Sequence, residues 1–180
     1  MSAMKKKNYN KSIIYILNIV LTIIFFVVDR ISKTAALNKL KGKPSVSVIP
    51  GILEFHYLEN EGAAFGLLKG QNAFFIFVVC IVIIAIIYVI IKIPNKRKYI
   101  VPQILLSFIA AGALGNLADR IIYHYVIDFI YISAIKFPIF NVADIYVSVS
   151  SVILLILMLF VYKEEDLNFL RLKEKKIREL

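Results

Sequence analysis

Four long runs free of charged residues divide the chain: Ser12 to Val28, Asn72 to Ile91, Tyr99 to Ala118 and Ile145 to Tyr162. A helix needs about 17–25 apolar residues to cross a bilayer core, so each run predicts one transmembrane helix. The fourth extends to Asp144 or earlier if the helix tolerates that charge. The first is the shortest and borrows Tyr9 and Asn10 as interfacial residues. Lysines precede it, as in a secretory signal, but it runs into Val27-Val28-Asp29-Arg30 without a small-x-small cleavage site. Three further runs follow, and it is read as a retained helix. Between the first two runs, alternation replaces continuous apolarity. Val46 and Val48 precede Pro50-Gly51, and Ile52, Phe55 and Tyr57 follow with Glu54 and His56 interleaved. That predicts two short strands around a Pro-Gly turn, then a second turn at Asn60-Glu61-Gly62. Such a pair could hold an extended peptide by edge pairing. The fold class is therefore an all-α integral membrane protein, with four transmembrane helices and a small extracytoplasmic β-strand segment in the first outer loop.

Composition agrees with this reading. Of 180 residues, 60% are apolar, and the mean hydropathy is +0.79. A soluble domain is about 45–50% apolar, and one this small cannot hide the excess in a single core. Disordered, collagen-like and disulfide-stapled classes are excluded as well. Lys and Arg number 22 against 12 Asp and Glu, a formal charge of +10. Because the basic residues sit between apolar blocks, this charge reports topology and anionic lipid, and no nucleic-acid partner is expected. Lysines crowd the N-terminal tail (1–11), the short loop at Lys92 to Lys98 and the tail from Lys163. The longer loops 29–71 and 119–143 are acid-containing and poorer in basic residues for their length. Both termini are thus expected in the cytoplasm and those loops outside. The chain divides into a basic tail 1–11, a membrane domain 12–162 and a charged tail 163–180. Alternating charges around Leu167, Leu170, Ile177 and Leu180 predict a solvated or interfacial helix in that last tail. Cys80, the single cysteine, is read as a small core residue. No internal repeat of the transporter kind is visible.

Ionisable residues at membrane depth each need a reason. Asp29 and Lys33 stand at i, i+4 where the first helix leaves the membrane, the spacing of a structural ion pair. Gly112, Asn116, Asp119 and Tyr123 form one stripe on the third helix, where small residues allow close approach. Asp119 and Arg120 are expected to pair with each other or with the first outer loop, as a brace. Asp128 and Asp144 differ. Asp128 lies in apolar Val126-Ile127-Asp128-Phe129-Ile130. Asp144 opens the fourth helix, with Asn141, Ser148 and Ser151 on its face. Both fall on the outer side, with Pro138 available to turn the chain back between them. Two carboxyls in a low-dielectric cleft cannot both ionise comfortably, which leaves one acid and one base at neutral pH. This suits an aspartic protease. It also suits a proton or cation relay in a small transporter or channel. His56 and His124 are isolated, so no zinc ligand set exists. Ser32 and Lys33 point in different directions on a helix and make no dyad.

Five blocks in order carry a resemblance. They are Asp29-Arg30-Ile31-Ser32-Lys33, Asn60-Glu61-Gly62-Ala63-Ala64-Phe65-Gly66, Gly112-Ala113-Leu114-Gly115-Asn116-Leu117-Ala118-Asp119-Arg120, Val126-Ile127-Asp128-Phe129-Ile130 and Phe140-Asn141-Val142-Ala143-Asp144. Together, over roughly residues 12–162, the chain resembles the lipoprotein signal peptidase (prolipoprotein signal peptidase, signal peptidase II) family. It departs at Arg30, where many members have Gln, and at Ala118, where many have a larger residue. The resemblance implies a bacterial multi-pass aspartic endopeptidase of the cytoplasmic membrane that cuts diacylglyceryl-modified prolipoproteins before the lipidated cysteine. It implies Asp128 and Asp144 as catalytic residues. It implies Asn60, Gly112, Asn116, Arg120 and Asn141 as substrate-binding or site-shaping positions, and Asp29, Lys33 and Asp119 as structural polar ones. No metal or cofactor is implied. Expected partners are lipid-modified prolipoproteins and membrane lipids, with sensitivity to globomycin.

Overall fold

The computed structural model describes residues 10–62 and 70–170. Tyr9, the lysines before it, the Ala63-Ala64-Phe65-Gly66 part of one motif, and Ile177 and Leu180 lie outside the described residues. All four predicted helices are present: α1 (Lys11–Leu40), α2 (Asn72–Lys92), α3 (Ile100–Tyr123) and α4 (Val142–Phe160). Each is long and apolar enough to cross a membrane. The helix α1 has 30 residues, about 45 Å of axis against a hydrocarbon core of about 30 Å. The uncharged run ends at Val28, so the surplus length falls in the charged turns after it. At its start Asn10 is a helix cap, whose side chain accepts from the Ser12 amide at 2.9 Å.

The most buried of the four helices is α3, and α1, α2 and α4 all pack against it. Gly112 explains how closely α4 approaches: a Cβ there would lie 2.5 Å from the Ala143 carbonyl oxygen. Gly115 does the same for α1, since its Cβ would meet Asp29 Oδ2 at 2.3 Å. Deeper in the bundle, Asn18 on α1 donates to Gln103 at 3.2 Å and accepts from the Ser107 hydroxyl at 3.2 Å. These bonds satisfy three polar side chains that lipid could not. The outward faces of α1, α2 and α4 are lined with exposed Ile, Val and Leu, as a lipid-facing surface requires.

The loop strands form as predicted: β1 (Val46–Ile49) and β2 (Leu53–Asn60) pair antiparallel across a turn in which Gly51 has φ +71°. A third strand was not foreseen. Val126–Ile132, here β3, pairs antiparallel with β2 and completes a sheet of order β1-β2-β3. Ile127 and Phe129 pack with Ala36 and Leu40 from the C-terminal end of α1. The seven-residue run Val-Ile-Asp-Phe-Ile-Tyr-Ile is apolar on both faces, so it lacks the alternation that betrays a half-buried strand. Chain reversal after β3 occurs at Ser133–Lys136, where Lys136 adopts φ +50°, and not at Pro138. The C-terminal tail, predicted as a helix, begins as a 3-10 segment over Glu164–Leu170, held by the Tyr99 hydroxyl donating to the Asp166 carbonyl at 2.9 Å.

Candidate active site

Asp128 sits on β3 directly opposite Leu58, two positions from the Asn60–Val126 pair. Side chains two apart on a strand share a face, so Asn60 reaches diagonally and donates to Asp128 Oδ2 at 2.8 Å. The next stretch of chain returns alongside β3. Phe140 accepts from the amides of Phe129 and Ile130 and donates to the Ile130 carbonyl at 3.0 Å. That clip delivers the following residue, Asn141, to the carboxyl: its Nδ2 donates to Asp128 Oδ1 at 2.6 Å.

Asn141 is also the N-cap of α4. Its Oδ1 accepts from the Asp144 amide at 3.0 Å, while Asp144 Oδ2 accepts from the Asn141 amide at 3.1 Å. This reciprocal box satisfies two amides that a helix start leaves orphaned. The other Asp144 oxygen accepts from Asn116 Nδ2 at 2.8 Å. Asn116 Oδ1 in turn accepts from Asn141 Nδ2 at 3.2 Å. The two carboxyls are thus joined through a pair of amides. Asp128 is 2% exposed, whereas Asp144 keeps part of its surface open. Burial, then the neighbouring Asp144 charge, push the Asp128 carboxyl up to about 7, against the opposing pull of the Asn60 and Asn141 hydrogen bonds.

Arg120 frames the site from α3. It donates to the Gly62 carbonyl at 3.2 Å, and its guanidinium lies over the Phe75 ring, 4.7 Å from the centroid. Asn60 Oδ1 accepts from the Gly62 amide at 3.0 Å. Gly62, which follows the strand that carries Asn60, is therefore held through both its carbonyl and its amide. Among the described residues, no three His, Cys, Asp or Glu side chains converge in a group able to hold a metal.

A family model described as signal peptidase (SPase) II matches residues 21–160. The chain belongs to the signal peptidase II family. It is 42% identical over 144 residues to a lipoprotein signal peptidase of Clostridium novyi, covering 78% of this chain and 96% of that one. A lipoprotein signal peptidase of Clostridium tetani is 38% identical over 152 residues, 83% of this chain and 94% of the relative. A solved bacterial membrane enzyme superposes with TM-score 0.73 at 31% identity, covering 99% of each chain, and a second with 0.72 at 32%. Signal peptidase II is a peptidase family, so the transporter alternative has no support.

This signal peptidase II chain brings all five site-shaping residues expected from its sequence into one region. Asn60, Asn116 and Asn141 bond the acids, Gly112 admits the start of α4, and Arg120 holds the loop. Asp29 and Lys33 form the expected ion pair at 3.1 Å, both fully buried. Asp119 and Arg120 do not pair with each other; both take the other course expected of them and bind the segment 29–71, Arg120 at the Gly62 carbonyl. Asp119 faces Lys33 at 2.9 Å and pairs with Arg30, while its Oδ2 also accepts from the Ile127 amide at 3.2 Å. Arg30, noted only as a departure, is thus part of the brace. Asn72 was missed: it donates to the Arg120 carbonyl at 3.0 Å and ties α2 to the site. Ser148 and Ser151, expected inside, are exposed; Ser150 is the buried serine of α4. Ser32 bonds its own helix, donating to the Asp29 carbonyl at 2.7 Å. His56 and His124 are both exposed, and so is Cys80, which was expected in the core. The free edge of the predicted hairpin is β1, so a peptide paired there would have two strands, β1 and β2, between it and Asp128 on β3.

Proposed function

We propose that this chain is an aspartic endopeptidase that removes signal peptides from diacylglyceryl-modified prolipoproteins, cutting before the lipidated cysteine. The observation that carries it is the joining of Asp128 and Asp144 through the Asn141 side chain and cap. Buried Asp128 holds a proton near neutral pH. It polarises the scissile carbonyl, while the more open Asp144 takes a proton from the attacking water. The carboxyl pair then exchanges roles, and the proton leaves with the amine. The Asn60, Asn116 and Asn141 amides keep the carboxyls oriented through the reaction. Relatives named lipoprotein signal peptidase support the substrate class.

In this reading, both termini and the Lys92–Lys98 turn face the cytoplasm, and the sheet and the acids face outward. Membrane domain 12–162 carries the activity, flanked by tails 1–11 and 163–180. Acyl chains of the substrate lie among the surrounding lipids, and globomycin inhibits. The test is cleavage of a lipidated prolipoprotein by purified protein in lipid. Expected are globomycin-sensitive turnover in wild type and none in folded Asp128→Asn or Asp144→Asn. The double variant is expected to be no worse than either single one, because the acids act as a unit. Wild-type turnover in either folded single variant overturns the aspartic mechanism.

A further inference from the structure

Lys33 is fully buried on α1 and holds three oxygens within reach of its ammonium: Asn116 Oδ1 at 2.7 Å, Asp119 Oδ2 at 2.9 Å and Asp29 Oδ2 at 3.1 Å. Two carboxylates already neutralise it, and Arg30 balances the second of them. A purely structural lysine needs nothing more. Yet the Asn116 contact is the shortest of the three, shorter than either ion pair, although Asn116 carries no charge to attract the ammonium. We infer that Lys33 is a positioning residue for the reaction, which locks the Asn116 amide so that its Nδ2 faces Asp144.

The reason lies in donor chemistry. An ammonium has three donors and no acceptor, so the atom Asn116 turns toward Lys33 must be its oxygen. Flipping the amide would set an NH₂ against an NH₃⁺ and turn the carbonyl oxygen onto the Asp144 carboxylate. Both contacts would be repulsive. Lys33 therefore selects the single amide orientation in which Asn116 donates to Asp144 at 2.8 Å and accepts from Asn141 at 3.2 Å. Asn141 in turn donates to Asp128. One buried cation thus orients the amides on both acids. Its charge also reaches Asp128, where it opposes the upward push of burial and of Asp144. Other charged or titratable groups facing this cluster are Asp29 and Arg30 on α1, Asp119 and Arg120 on α3, and Tyr146 on α4.

This inference rests on the aspartic reading above. The test compares Lys33→Arg with the charge-balanced double variant Asp29→Asn/Lys33→Met, using kcat, KM and pH profiles on a lipidated prolipoprotein together with thermal unfolding. Arginine keeps the charge for Asp29 and Asp119 but not the compact donor on Asn116. It is expected to fold, with kcat lowered about 10- to 100-fold, the scale of a small misplacement, and KM little changed. In the folded double variant the pH profile of kcat/KM moves to higher pH, because a cation that favoured the ionised acids has gone. Wild-type kcat in folded Lys33→Arg, or an unmoved profile in the folded double variant, overturns the inference and leaves Lys33 structural. If the double variant does not fold, Lys33→Arg decides alone. Wild-type turnover in folded Asp128→Asn overturns the aspartic reading instead, so the two failures are distinguishable.

Discussion

Asn141 donates to Asp128 at 2.6 Å with one end of its side-chain amide and, with the other, caps the helix whose first turn carries Asp144. One side chain therefore sets the separation of two carboxyls that belong to different secondary structures. A strand holds the first, a helix start holds the second, and the Phe140 clip on β3 places the amide between them. Substitutions here act on stability and on chemistry at once, and the two can be separated.

Asn141→Ala removes both the cap and the bridge. Loss of an N-cap costs about 1–2 kcal/mol, and turnover is expected to fall below detection. Asn141→Ser restores a capping oxygen but cannot reach Asp128. Unfolding curves for Asn141→Ser close to wild type, with activity still lost, are the expected outcome; recovered activity in that variant argues that the bridge is dispensable.

Asp128→Asn is expected to remove a pH-dependent penalty on the stability of the folded protein. Folded Asp128 keeps its proton up to about 7, whereas the unfolded chain releases it near the ordinary value of 3.8. The folded state therefore binds more protons between these limits, and stability falls as pH rises through them. The penalty is fully present above pH 7 and absent below about pH 4. At most it amounts to something on the order of 4 kcal/mol. The new NH₂ also meets Asn60 or Asn141, a cost that does not depend on pH. Thermal unfolding should therefore show the stability of Asp128→Asn relative to wild type rising between pH 4 and pH 8, and a difference that stays constant with pH contradicts this.

Gly112→Ala places a methyl 2.5 Å from the Ala143 carbonyl oxygen and 2.8 Å from Val147 Cγ2. Backbone cannot yield as a side-chain tip can, so α4 must shift away from α3. Overpacking of this kind costs about 1–3 kcal/mol. Because Asp144 rides on the displaced turn, turnover should fall by a larger factor than the stability loss alone explains. Ala113→Gly, at the neighbouring position, is the control for helix propensity.

Topology is open to labelling. With Cys80→Ser as background, cysteines at Ser47 and Ala134 should react with an impermeant thiol reagent in intact cells, since both positions are exposed. One at Lys96, exposed at the other end of the bundle, should react only after lysis. The reverse pattern puts the acids on the inner side.

Much of this protein is written in local pattern. Uncharged runs determine the four helices because lipid tolerates no unpaired backbone and few charges. Pro50-Gly51 between alternating segments determines the hairpin. Asp128 stands out because an acid in an apolar run requires a reason. Other relationships have no local trace. The strand character of Val126–Ile132 depends on β2 pairing along its edge and on the end of α1 packing against Ile127 and Phe129. Arg30 and Asp119 are 89 positions apart and pair only because α1 crosses α3 where Gly115 leaves room. Asn116 could point its amide either way on α3; Lys33, from another helix, decides which. Sequence periodicity tells which side of an element a residue occupies. Which partner it meets there, and with which atom, depends on how the elements pack, and for these acids and amides that choice is the chemistry.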